Sequence, residues 1–126
     1  MNSFQSLHNM QKRARKAEFA EKERRAIKER DEYCIFCKMG YHMEKATWMD
    51  CNVLSIMHYI PRSRNGLGIE QNGALGCYYH HTMLDNGNAG RRAEMLELFR
   101  DYLMQQYENW NEEDLVYDKW SFLKNV

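Results

Sequence analysis

Two short pairs constrain this chain more than any other feature: Cys34 and Cys37 are separated by two residues, and Cys77 and His80 repeat that spacing further along. Two intervening residues let a tight turn aim both side chains at one tetrahedral ion, and Zn²⁺ accepts thiolate and imidazole together. The spacing predicts a Cys3His zinc knot built from Cys34, Cys37, Cys77 and His80. Four protein ligands leave no open position for substrate, so a zinc held this way is structural. Cys51 is left over, in or beside an expected strand, and reads as a small buried hydrophobe. The competing reading is a metal-free interaction protein whose cysteines pair transiently; about one zinc per chain would exclude it.

A staple of this kind suits the composition. The chain has 126 residues, the common size of one domain, with 44% hydrophobic and 29% charged residues and a mean hydropathy of -0.81. That is enough for a modest core and no more. No run approaches the ~20 consecutive apolar residues of a membrane helix, and the N-terminus lacks the apolar middle of a secretory signal. The expected location is the cytoplasm. Cysteines in that reducing compartment are thiols or metal ligands before they are disulfides.

Formal net charge is zero, but it is unevenly spread. Residues 1–30 carry nine Lys/Arg against four Asp/Glu, residues 31–90 are net -2 and residues 91–126 net -3. A basic arm suits a polyanion such as a nucleic-acid backbone, while i,i+4 pairs such as Glu21 with Arg25 would equally suit a solvated helix.

The same three parts organise the fold. Residues 1–30 predict a basic, mostly exposed helix: positions 3–30 contain no Gly or Pro, Ser3 can cap them, and Phe4, Leu7, Met10, Ala14 and Ala17 form a thin stripe. Residues 31–90 are turn-rich, with the best strand over Asn52–Pro61. Residues 91–126 open with a helix whose Met95, Leu96, Phe99, Tyr102, Leu103 and Tyr107 keep helical spacing. Asn111 then caps a short last helix, from which Leu115, Tyr117 and Trp120 can pack back. Asn72-Gly73 suits a tight hairpin turn, and Asp85-Asn86-Gly87 a helix C-terminus.

After the first pair come His58-Tyr59-Ile60-Pro61-Arg62-Ser63, the stretch Asn65-Gly66-Leu67-Gly68-Ile69-Glu70-Gln71-Asn72, then Cys77-Tyr78-Tyr79-His80-His81, which holds the second pair, and Leu84-Asp85-Asn86. In this order and spacing the sequence resembles the HNH nucleases, small ββα-metal enzymes that cut phosphodiester bonds, and especially the small HNH proteins of phages. The resemblance spans roughly Cys34 to Trp120. It implies an α+β fold with a ββα-metal core stapled by zinc, preceded by the basic helix and closed by C-terminal helices. His58 matches the family's general base, and Asn72 the residue that holds that base or its loop in orientation. His81 matches a ligand of the catalytic ion, Mg²⁺ or Mn²⁺; Asp85, four residues on, can join it on one helix face, with Asn86 the alternative oxygen ligand.

Two positions depart from the family pattern. Met57 stands where an Asp, Glu or His ligand is usual, and a thioether does not replace a carboxylate for a hard ion. His80 stands where the pattern has cysteine, an exchange zinc tolerates. Arg62, Arg64, Arg91 and Arg92 are candidate phosphate contacts. The expected activity is metal-dependent endonucleolytic hydrolysis of DNA, and the phage-like resemblance implies a role beside a terminase or other packaging proteins. The rival expectation is a catalytically inactive zinc-stapled module that binds nucleic acid or a protein.

Overall fold

The computed structural model describes residues 16–118. It is an α+β arrangement in which one two-stranded antiparallel sheet is surrounded by helices. In chain order these are α1 (Glu21–Asp31), α2 (Ile35–Lys38), α3 (Trp48–Asn52), β1 (Leu54–His58), β2 (Gly73–Cys77), α4 (Tyr78–Asp85) and α5 (Arg92–Gln106). Short 3-10 turns occupy Arg62–Arg64, Glu70–Asn72, Gly87–Gly90 and Glu112–Leu115. No helix among the described residues is long and apolar enough to cross a membrane.

The helix expected through residue 30 is not continuous. Lys16 and Ala17 are helical, Glu18–Ala20 are not, and α1 starts only at Glu21. The interruption has a tertiary cause: the segment turns inward, burying Ala17 and placing the Phe19 ring against Gly73. Propensity for an unbroken helix is worth tenths of a kcal/mol per residue, less than burying an aromatic ring. The Ser3 cap and the stripe from Phe4 to Ala14 lie outside the described residues. Within α1, Glu21 and Glu23 in the first turn and Lys28 and Arg30 in the last complement the helix dipole.

The C-terminal end of α1 is docked by charge. Arg30 grips Asp31 through Nε (2.6 Å) and Nη2 (2.9 Å), and its donors also reach the carbonyls of Glu70 (2.8 Å) and Gly73 (2.6 Å) and the Tyr107 hydroxyl (2.8 Å). Asp31 is fully buried and accepts from the Leu75 amide at 2.9 Å and from the Tyr102 hydroxyl. One adjacent pair thereby ties α1 to β2, the loop before it and α5. A buried charge tolerates its site only with such a full set of partners.

The strand expected over Asn52–Pro61 contracts to Leu54–His58, because Asn52 ends α3 and β2 offers five partners, from Leu54↔Cys77 to His58↔Gly73. Asn72-Gly73 makes no tight hairpin: residues 59–72 form a wide loop, and Gly73 has an ordinary extended φ of -141° as the first residue of β2. Cys51 belongs to α3 rather than the strand and is half-buried. β2 leads into α4 with no intervening loop.

α5 buries Met95, Phe99 and Leu103, the stripe its spacing predicts. They join Ile35, Phe36, Met57, Ala74, Leu84, Cys34 and Cys77 in one core. The last helix is a single 3-10 turn capped by the Asn111 side chain, which accepts from the Glu113 amide at 3.1 Å. Leu115 is buried and Val116 pairs with Gly66, so this segment closes over the wide loop. Tyr117 is half-buried beside it, its amide donating to the Asn65 carbonyl at 2.7 Å, and Trp120 lies outside the described residues.

Candidate metal centre and active site

Each ligand pair, Cys34 with Cys37 and Cys77 with His80, is assembled at a helix start. Cys34 caps α2 and its sulfur accepts from the Cys37 amide at 3.4 Å; Cys77 caps α4 and its sulfur accepts from the His80 amide at 3.4 Å. α2 packs against β2, which ends in Cys77, and the ligand atoms of Cys34, Cys37, Cys77 and His80 all lie within 4.8 Å of one another. Cys37 Sγ and Cys77 Sγ are 3.7 Å apart, and His80 Nδ1 lies 3.6, 3.5 and 3.4 Å from the sulfurs of Cys34, Cys37 and Cys77. Bonds of ~2.3 Å to sulfur and ~2.0 Å to nitrogen at tetrahedral angles give edges of roughly 3.8 and 3.5 Å. The group has the dimensions of a tetrahedral zinc site.

The remaining nitrogen of His80 is committed as well. Its Nε2 donates to the Tyr41 carbonyl at 2.6 Å, which leaves the Nδ1 lone pair facing the sulfurs. Burial, and then the negative charge of Cys34, push the Cys37 thiol well above its ordinary range. A bound cation removes that penalty by stabilising the thiolates.

The candidate base lies at the other end of the hairpin. His58 is the last residue of β1, half-buried, and its Nε2 donates to the Ala17 carbonyl at 2.8 Å. The Phe19 ring lies 4.5 Å from the imidazole, centroid to centroid. The segment carrying both is seated by the Gly68 amide, which donates to the Lys16 carbonyl at 2.8 Å. A Cβ on Gly68 would stand 2.3 Å from the carbonyl carbon of Glu18, and one on Gly73 would stand 2.6 Å from the Phe19 ring. The two glycines thus make room for residues 16–20. Burial lowers the pKa of His58; the Ala17 carbonyl opposes that, while the charges of Arg62 and His81 add to it.

Asn72 is fully buried, with its amide spent on the loop. Its Oδ1 accepts from the Ile60 amide at 2.8 Å, and its Nδ2 donates to the carbonyls of Leu67 at 2.8 Å and Ile60 at 3.1 Å. Its own carbonyl accepts from the Tyr59 amide at 2.9 Å, directly after His58. Its side chain thus bonds the loop that follows His58 and makes no bond to the imidazole itself.

His81 and Asp85 share a face of α4, with Nε2 and Oδ2 3.6 Å apart. His81 Nδ1 is 2.7 Å from Ser55 Oγ on β1. Asn86 is exposed at the C-cap of α4 and Gly87 follows at φ +83°, so the helix-end reading of Asp85-Asn86-Gly87 is observed. Met57 is fully buried in the core, and by strand alternation it leaves β1 on the face opposite His58. Position 57 is therefore a packing position, and a carboxylate there would be buried in the apolar core.

The four arginines divide. Arg62 is exposed and 4.0 Å from Glu18, Arg64 and Arg91 are exposed, and half-buried Arg92 donates from Nε to the Leu84 carbonyl at 3.2 Å, near the end of α4. Sequence reasoning missed Ala17, Phe19, Ser55 and the Tyr41 carbonyl. No spacing marks them, since each reaches its histidine across a tertiary contact. No family model matches the chain, and no curated protein or solved structure matches it.

Proposed function

We propose that this chain is an HNH-type endonuclease that hydrolyses DNA phosphodiester bonds, held together by a structural zinc on Cys34, Cys37, Cys77 and His80. The observation that carries the reading is the antiparallel β1–β2 hairpin running straight into α4. With it, His58 ends the first strand, buried Asn72 closes the connecting loop and His81 stands on the helix.

In this reading His58 is the general base. Its Nε2 is bonded to the Ala17 carbonyl, so Nδ1 is the atom with a free lone pair to take the proton of the attacking water. Asn72 keeps the loop after His58 from moving. His81 and Asp85 would hold the divalent ion, Mg²⁺ or Mn²⁺, which when bound supplies positive charge to the scissile phosphate and the departing oxygen. Exposed Arg64 and Arg91 are available to phosphates and carry no base specificity.

One observation favours a second reading, the catalytically silent zinc module: Met57 is committed to the core, so β1 offers His81 and Asp85 no carboxylate at that position. The deciding experiment is nicking of supercoiled plasmid in Mg²⁺ or Mn²⁺ by the zinc-loaded protein and by His58→Ala prepared alongside. Cleavage by the wild type that falls by about 10²-fold or more in the variant supports the nuclease. Absence of cleavage by both, with every divalent ion tried, leaves the silent module as the function.

A further inference from the structure

Ser55 has no counterpart in the motif, yet it is the partner of the helix histidine. Its Oγ lies 2.7 Å from His81 Nδ1, a full hydrogen bond, whereas His81 Nε2 and Asp85 Oδ2 are 3.6 Å apart, beyond one. Two bonds of ~2.1 Å to one hard cation can span up to ~4.2 Å, which accommodates that separation. One ring nitrogen of His81 is thus anchored and the other stands beside a carboxylate without bonding it.

We propose that Ser55 is a positioning residue for the cation site: its hydroxyl accepts the Nδ1 proton of His81 and so turns the Nε2 lone pair toward Asp85. The inference rests on the reading of His81 and Asp85 as ligands of the divalent ion. The logic matches His80, where Nε2–H is donated to the Tyr41 carbonyl and Nδ1 faces the sulfurs. Adjacent residues on α4 thereby present opposite ring nitrogens to two different ions, and the partner of each imidazole makes the choice. A ligand imidazole whose other N–H is held keeps its tautomer and orientation, and removing such a partner typically costs 10–100-fold in metal affinity.

The opposite arrangement is chemically distinct. If the Ser55 hydroxyl donated to Nδ1, Nε2 would carry the proton and could not bind a cation. Ser55 would then resemble a nucleophile beside its base.

The test uses the zinc-loaded full chain and two readouts. Mn²⁺ binding is followed by the EPR signal of the free ion for wild type, Ser55→Ala, Ser55→Thr and His81→Ala. The His81 tautomer is read without Mn²⁺ from imidazole ¹⁵N shifts. The expected result is an Mn²⁺ site abolished by His81→Ala, weakened about tenfold or more by Ser55→Ala and restored by Ser55→Thr, with Nδ1 protonated in the wild type. Retention of one zinc per chain in each variant controls for folding. His81-dependent Mn²⁺ binding that Ser55→Ala leaves unchanged, or a wild-type His81 protonated on Nε2, overturns the role of Ser55 alone. A wild type with no His81-dependent Mn²⁺ overturns the cation site, and with it the nuclease reading.

Discussion

His80 Nε2 donates to the backbone carbonyl of Tyr41 at 2.6 Å, and this bond decides which nitrogen of the imidazole faces the sulfurs of Cys34, Cys37 and Cys77. The site therefore has its orientation from the fold before any ion arrives. Ligand binding free energy then becomes folding free energy, since the unfolded chain holds the four groups apart.

Purified protein is expected to carry about one zinc per chain. Cys34→Ser or Cys77→Ser should lower stability by ~3 kcal/mol or more, a fall of ~10 °C or more in Tm. Metal analysis together with thermal unfolding checks this, and unchanged melting in both variants would defeat the zinc site.

On the proposed nuclease reading, the pH profile of nicking follows from the burial of His58. Its pKa is lowered, so the neutral, proton-accepting form persists to lower pH than for a free imidazole. Activity should be present above that pKa and lost as pH falls through it, with the acid limb centred below the ordinary value of ~6.5. Phe19→Ala uncovers the ring and should move the limb upward. An acid limb at or above ~6.5 in the wild type would contradict the assignment.

Gly68→Ala should release residues 16–20 from the loop, because the new Cβ would meet the Glu18 backbone at 2.3 Å. Neither side of that contact is a flexible side-chain end. A loss of about 1–3 kcal/mol is expected. The His58 resonances, followed by NMR, should show loss of the hydrogen bond to Ala17. Unperturbed His58 signals would mean that the segment tolerates the methyl group.

Asp85→Ala should reduce divalent-ion binding and nicking more than Asn86→Ala. Asp85 Oδ2 stands 3.6 Å from His81 Nε2, whereas Asn86 is at the helix end. Parallel titrations of Mn²⁺ and of cleavage rate give the ranking, and the reverse order would transfer the ligand to Asn86.

Asp31→Ala should cost ~3–5 kcal/mol, since it leaves Arg30 partly buried without its carboxylate and the Leu75 amide without an acceptor. Tyr102→Phe removes one hydrogen bond of the same network and should cost nearer ~1 kcal/mol. Urea unfolding of both variants and the double mutant measures the coupling.

The sequence carried the features that depend on neighbours along the chain. The metal group was legible because each half needs only a two-residue turn, and α5 because Met95, Phe99 and Leu103 repeat at the helical period. The Asn111 cap, likewise, concerns a side chain and an amide two residues away. Elsewhere distant contacts override local preference. The helix through residue 30 breaks at Glu18–Ala20 because Phe19 seats against Gly73, and Asn72 closes a wide loop instead of a tight turn because its amide binds Ile60 and Leu67.

Spacing along the chain is therefore enough to say which side chains can gather: three cysteines and a histidine in one knot, His58 on a strand, His81 and Asp85 one helical turn apart. Which atom each imidazole meets depends on contacts between distant parts of the chain. Tyr41 and Ala17 fix the free nitrogen of His80 and His58, each through a backbone carbonyl, and Ser55 stands 2.7 Å from His81 Nδ1. Every residue has that carbonyl, so no pattern of letters marks the one that will lie within hydrogen-bond reach of a ring nitrogen.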